Sequence, residues 1–188
     1  MSGWIAVAVL AVIVLYAIAL FNRLVRQRNL VREGWSGIDV QLKRRTDLVP
    51  NLVETVKDYA AHERSVFDEV TKTRASSIAA ESVSGQASAE RALQGALGRL
   101  FAVAEAYPEL KANTNFLALQ QQLAEIEDQV QMARRYYNGT ARNLNISIQS
   151  FPNNLLARVL GFREEPFFEL DDRAQASPPG IAVQAPKR

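Results

Sequence analysis

The sequence predicts an all-α protein in which an N-terminal transmembrane helix continues into an antiparallel bundle of long helices. Two observations predict it. Residues 3–21, GWIAVAVLAVIVLYAIALF, contain no charge and no proline over about nineteen positions, close to the ~20 that a helix needs to cross ~30 Å of hydrocarbon. Beyond them, apolar residues recur at alternating spacings of three and four along several stretches, the period of a helix that buries one face.

The apolar run reads as an anchor, against three alternatives. A cleaved signal would place lysine or arginine ahead of a shorter core and end at small residues, whereas this core ends in Leu20, Phe21, Asn22 and Arg23. A buried core helix would show a polar stripe, which the run lacks. Acylation has no thiol to use, since the chain has no cysteine. Arg23, Arg26, Arg28 and Arg32 form a membrane-proximal basic group after the span, with no lysine or arginine before it. By the positive-inside rule, the short N-terminus is expected outside and the C-terminal part in the cytoplasm, at the cell (inner) membrane of a single-pass protein.

Composition sets further bounds. The chain has 188 residues, and subtracting the span and a polar tail leaves room for one helical unit. A net charge of +2 is too mild to argue for nucleic acid, and absent cysteines exclude disulfides and thiolate metal sites. The expected division is residues 1–22 as anchor, 23–163 as helical bundle, and 164–188 as an acidic and aromatic segment with a disordered tail.

The first long seam runs through Val31, Trp35, Ile38, Leu42, Val49, Leu52, Val56, Tyr59, Val66 and Val70, with Arg45 and Glu63 filling its two missing steps. Pro50 lies in it. Proline removes a backbone donor and crowds the carbonyl four residues back, so a kink is expected between Thr46 and Pro50, with Asp47 capping a new segment. Residues 76–89 are small and polar and read as the longest internal loop. Ser88 is then expected to cap a helix carrying Leu93, Leu97, Leu100, Ala104 and Tyr107, and Gly95 and Gly98 fit it if another helix packs closely there. The most regular stretch steps through Phe116, Leu119, Leu123, Ile126, Val130, Ala133, Tyr137, Thr140 and Leu144; Asn138-Gly139 is expected to be absorbed into it, the alternative being an early cap in a left-handed turn. After Phe151-Pro152, a short amphipathic helix with Leu155, Leu156, Val159 and Leu160 is expected to pack across the bundle end. The other reading places it on the membrane surface. The final DDRAQASPPGIAVQAPKR has the composition of a disordered tail.

Candidate chemistry is sparse. His62 is the only histidine, with Glu63 and Glu69 near it, and one ligand on a helix flank does not define a metal site. The pairs Glu125 with Asp128 and Glu164 with Glu165 read as solvated surface rather than as an acid and a base. Asn138-Gly139-Thr140 and Asn145-Ile146-Ser147 match a glycosylation pattern by chance, within a helical period. Lys43, Arg44 and Arg45 form a possible interaction patch, facing another protein, a second copy or a second membrane; the alternative is a solvated face paired locally with Asp39 and Asp47. No catalytic, metal or cofactor-binding residues are assigned, and neither a cofactor nor a small-molecule substrate is expected.

The strings WSGIDVQLKRRTDLVPNLVETVKDYAAHE, YPELKANTNFLALQQQLAEIEDQVQMARRYYNGTARNLN, SFPNNLLARVLGF and PFFEL, in that order after an N-terminal span, resemble the LemA family over residues 21–170. The resemblance implies a single-pass bacterial membrane protein with a helical bundle and no assigned catalytic residues; some relatives are associated with building intracellular membrane compartments. The expected function is a non-enzymatic membrane-anchored scaffold that binds proteins or self-associates at the cytoplasmic membrane. The alternative is a membrane-remodelling or biogenesis factor whose helices also engage lipid.

Overall fold

The computed structural model describes residues 2–169, and the helices among them leave no strand. The apolar run and the first seam form one element, α1 (Ser2–Lys57), 56 residues and about 84 Å at 1.5 Å per residue. Its first part stands apart from the bundle, with Trp4, Ile5, Val9, Ile13 and Leu15 exposed. This rules out a buried core helix. Leu20 and Leu24 are the first buried residues, so the last turn of the apolar run is already part of the packed core.

Past Lys57 the chain turns into α2 (Arg64–Ile78) and α3 (Val83–Glu105), then through the short α4 (Pro108–Lys111) into α5 (Thr114–Gln149) and α6 (Asn153–Val159). Asn113 caps α5, its side-chain oxygen accepting from the Asn115 and Phe116 N–H groups at 2.9 and 3.1 Å. The long helices α1 and α5 run antiparallel. Their register is fixed where Arg45 reaches Glu127, Gly34 abuts Tyr137, and the Gln27 amide donates to the Asn143 carbonyl at 3.5 Å. Continued downward, that register sets Gln149, the last residue of α5, opposite Phe21, the last residue of the apolar run.

The predicted seams are buried over most of their length, with Trp35 and Val66 half-buried and Tyr59 exposed. Along α1, Val31, Ile38, Leu42, Val49, Leu52 and Val56 turn inward, and along α5 so do Phe116, Leu123, Ile126, Val130, Tyr137 and Leu144. They build two apolar clusters. One, near the apolar run, joins Leu20 to Leu42 of α1 with Ile126 to Leu144 of α5, Ala157, Phe162 and Phe168. The distal one joins Val49 to Val56 with Phe67, Leu93, Leu97, Leu100, Leu110 and Leu123.

Four expectations need correction. No new segment begins at Asp47, since α1 continues through Pro50 and breaks instead between Lys57 and Arg64. The missing donor is replaced from outside the helix: the carbonyl four residues before Pro50 belongs to Thr46, and Arg74 Nε of α2 donates to it at 2.7 Å. Residues 76–89 are not a long loop. The helix α3 starts at Val83, capped by Ser82, whose hydroxyl accepts from the Gly85 N–H at 3.1 Å, and its first turns bury Gln86, Ala87, Ala89 and Glu90 rather than an apolar stripe. Gly95 and Gly98 face open space. The close approach is at Gly34, where an added Cβ would lie 3.0 Å from the Tyr137 Cα, so that α1 and α5 would have to part by a few tenths of an ångström. Finally, of the apolar side chains of α6 Leu156 and Ala157 pack into the core, while Leu155, Val159 and Leu160 are left exposed.

The glycine at position 139 is absorbed into α5, as the repeat predicts. The expected tail at 171–188 lies outside the described residues.

Candidate functional site

The seven basic residues singled out in the sequence fall into four environments. Arg23, Arg26 and Arg32 are exposed on α1 within three turns of the end of the apolar run. Arg28 is half-buried, its guanidinium carbon 5.2 Å from the centroid of the Phe162 ring. Lys43 and Arg44 are exposed, Lys43 beside a depression of about 240 Å³ that Asp39, Asp47, Ser77 and Gln86 also line, and Arg44 bonded through Nη1 to Gln41 Oε1 at 3.1 Å.

Arg45 belongs elsewhere. It is 4% exposed and occupies its step in the α1 seam between the two apolar clusters. Its Nη1 donates to Glu90 Oε2 at 3.1 Å and its Nη2 to Glu127 Oε2. Glu90, fully buried, accepts on its other oxygen from the Ser77 hydroxyl and from Gln86 Nε2 at 3.0 Å, while Gln131 Nε2 donates to Glu127 Oε1 at 2.7 Å. Both carboxylates are thereby occupied by donors on each oxygen. A buried guanidinium with this many partners is a structural tie between α1, α3 and α5, so of the three basic residues only Lys43 and Arg44 are exposed.

A second arrangement escaped the sequence reading. Residues 165–168 are strapped along α5 by two asparagines. The Asn145 amide donates to the Glu165 carbonyl at 2.9 Å and accepts from its N–H at 2.8 Å, and Asn138 repeats the exchange with Phe168 at 3.1 and 2.9 Å. Seven helical residues rise about 10.5 Å and three extended residues span about 10 Å, so side chains one heptad apart match a stretched strand of chain. Between the clamps the Tyr137 hydroxyl donates to the Pro166 carbonyl at 2.8 Å. Trp35 of α1 packs edge-on against both Tyr137 and Phe168, at 5.5 and 5.6 Å between centroids. The signal was the pair of asparagines one heptad apart on an apolar face, which the glycosylation pattern obscured.

Burial, with the Glu165 carboxylate adding to it, pushes the Tyr137 hydroxyl up from 10.0 to about 12. The unfolded chain loses this proton first. Stability from the protonated tyrosine is therefore complete below pH 10.0 and drains away as pH rises to about 12. In alkaline denaturation of the full chain, Tyr137→Phe should flatten the fall of stability over that window; a profile parallel to the original would count against the assignment.

His62 is exposed, and no group of three or more metal-ligating side chains occurs among the described residues.

The LemA family model matches residues 34–182, a stretch that starts at the close-approach glycine and contains Arg45, Glu90, Glu127 and both clamping asparagines. Two proteins of Paramagnetospirillum magneticum (strain ATCC 700264 / AMB-1), Magnetosome protein MamQ 1 and MamQ 2, are each 28% identical to this chain over 191 residues, covering 87% of it and 70% of the relative. Protein LemA of Metamycoplasma hominis is 26% identical over 155 residues, covering 80% of this chain and 69% of the relative.

Proposed function

Since this chain belongs to the LemA family, whose members are non-catalytic, we propose that it works as a scaffold held at the cytoplasmic membrane by α1, binding proteins or further copies of itself through the bundle. Membrane association itself follows from the family and the apolar N-terminal helix. The observation that carries the reading is that the apolar run and the long bundle element are one helix, α1, without a joint between them. Anything bound to the bundle is thereby held at a fixed place relative to the bilayer. Lys43 and Arg44 are the exposed charges offered for such binding, about 33 Å along α1 from Phe21. That is several Debye lengths from the surface of its own membrane, so these charges are left for proteins.

The basic collar of Arg23, Arg26, Arg28 and Arg32 supports a bundle on the cytoplasmic side. Because the chain lacks cysteine, single introduced thiols report topology cleanly. Ser2→Cys should react with an impermeant maleimide in intact cells and Ser84→Cys only after lysis; the reverse pattern would overturn the orientation. The scaffold is tested by Lys43→Gln with Arg44→Gln in the full chain. Self-association in nanodiscs and crosslinked partners in cells should both fall while lipid dependence is unchanged, and unaltered association and capture would sink the patch. A second reading, a membrane-biogenesis factor whose helices also engage lipid, draws on relatives named as magnetosome proteins.

A further inference from the structure

We propose that α6 and the Phe151 corner before it form a second membrane contact, seated in the interface of the same bilayer that α1 crosses. This rests on α1 being the anchor, and not on what the bundle binds. The placement comes from three contacts. The Tyr16 hydroxyl donates to Asn153 Oδ1 at 2.6 Å, which fixes the start of α6 beside a residue inside the apolar run. The chain then returns at Phe162, whose ring meets Phe21 edge-on at 6.1 Å and lies under the Arg28 guanidinium. From Tyr16 to Phe21 is about 7.5 Å of helix rise, so α6 begins that far below the end of the apolar run and climbs back to it. An interfacial helix buries its apolar face about 5–10 Å into the boundary of headgroups and acyl chains, the same depth.

The side chains suit that depth. Phe151 is 81% exposed, Leu155 63% and Val159 83%, and the last two lie one turn apart on one face of α6. The opposite side carries Leu156 and Ala157 into the core, so the exposed face is not available for packing within the chain. Arg158 and Arg163 are exposed and line one depression with Asn154 and Glu164, and Arg23 is exposed on α1 just past the apolar run, the region where lipid phosphates lie when residues 3–21 cross the hydrocarbon. A protein partner at this face would have to sit within the headgroup layer beside the span. Continuity with the span therefore names lipid as the occupant.

The test uses the full chain in nanodiscs holding one copy each, with Val159→Cys or, as a second position, Leu155→Cys carrying an environment-sensitive NBD label. Ser65→Cys, exposed on α2 at the far end of the bundle, is the reference. The α6 labels should emit to the blue of the reference, be quenched several-fold more strongly by nitroxide-bearing lipids, and be quenched several-fold less by aqueous iodide. Iodide quenching equal to that at position 65 would overturn the proposal. So would protection that appears only in discs holding two or more chains, which would assign the face to a second copy. Because each disc holds one chain, failure of the scaffold reading leaves this result unaffected.

Discussion

Replacing Arg45 by methionine is expected to destabilise the full chain by about 3–5 kcal/mol, although no residue of the apolar core is touched. Methionine fills much of the same volume, so the loss comes from Glu90, a fully buried carboxylate left with the Ser77 hydroxyl and the Gln86 amide but no positive charge. Glu127 is more exposed and recovers water, which makes Glu90 the dominant contributor. Chemical denaturation followed by helical circular dichroism would measure the effect. Removing the stranded charge as well, in Arg45→Met with Glu90→Leu, should restore much of the stability, because an apolar replacement of a whole buried pair is often neutral. A single-variant loss below about 1 kcal/mol would mean that water reaches the carboxylate, and the tie between α1, α3 and α5 would lose its explanation.

Arg74→Met should cost about 1–3 kcal/mol, and the cost should depend on the residue at position 50. In the native chain the substitution leaves the Thr46 carbonyl without the donor that Pro50 cannot supply. In a Pro50→Ala background the alanine N–H takes that carbonyl in the ordinary helical way, and Arg74 becomes dispensable. A double-mutant cycle over Arg74→Met and Pro50→Ala should therefore show coupling of about 0.5–3 kcal/mol. Strict additivity would show that Arg74 acts through its packing alone.

The helices and their buried faces were legible because a period of three and four is enough to find them, and α5 matches its predicted seam from Phe116 to Leu144. The interior polar tie was half legible. Arg45 kept step with the apolar seam, which marks a buried position, yet its neighbours Lys43 and Arg44 made it look like part of a surface cluster. Its partner Glu90 lay just past a stretch read as loop, because the buried face there is made of Gln86, Ala87, Ala89 and Glu90 and carries no apolar signal. One misreading produced the other. Pro50 was read from local chemistry alone, and the donor that tolerates it comes from Arg74, twenty-four residues away in a different helix. Contacts of that kind leave no periodic mark. The same holds for the strap, where the second member of each asparagine pair is backbone.

The absence of a joint in α1 also has a mechanical consequence. A span whose apolar length differs from the local hydrocarbon thickness adjusts by tilting. From Phe21 to Lys57 the helix extends about 54 Å beyond the apolar run, so a tilt change of about 10° at the bilayer sweeps its far end sideways by about 9 Å. The bundle packed along α1 moves with it. With α1 crossing the bilayer as proposed, thickness would thus be converted into lateral displacement at the outer end of the molecule, and a thickness boundary in the membrane into a step in position that a bound partner would experience.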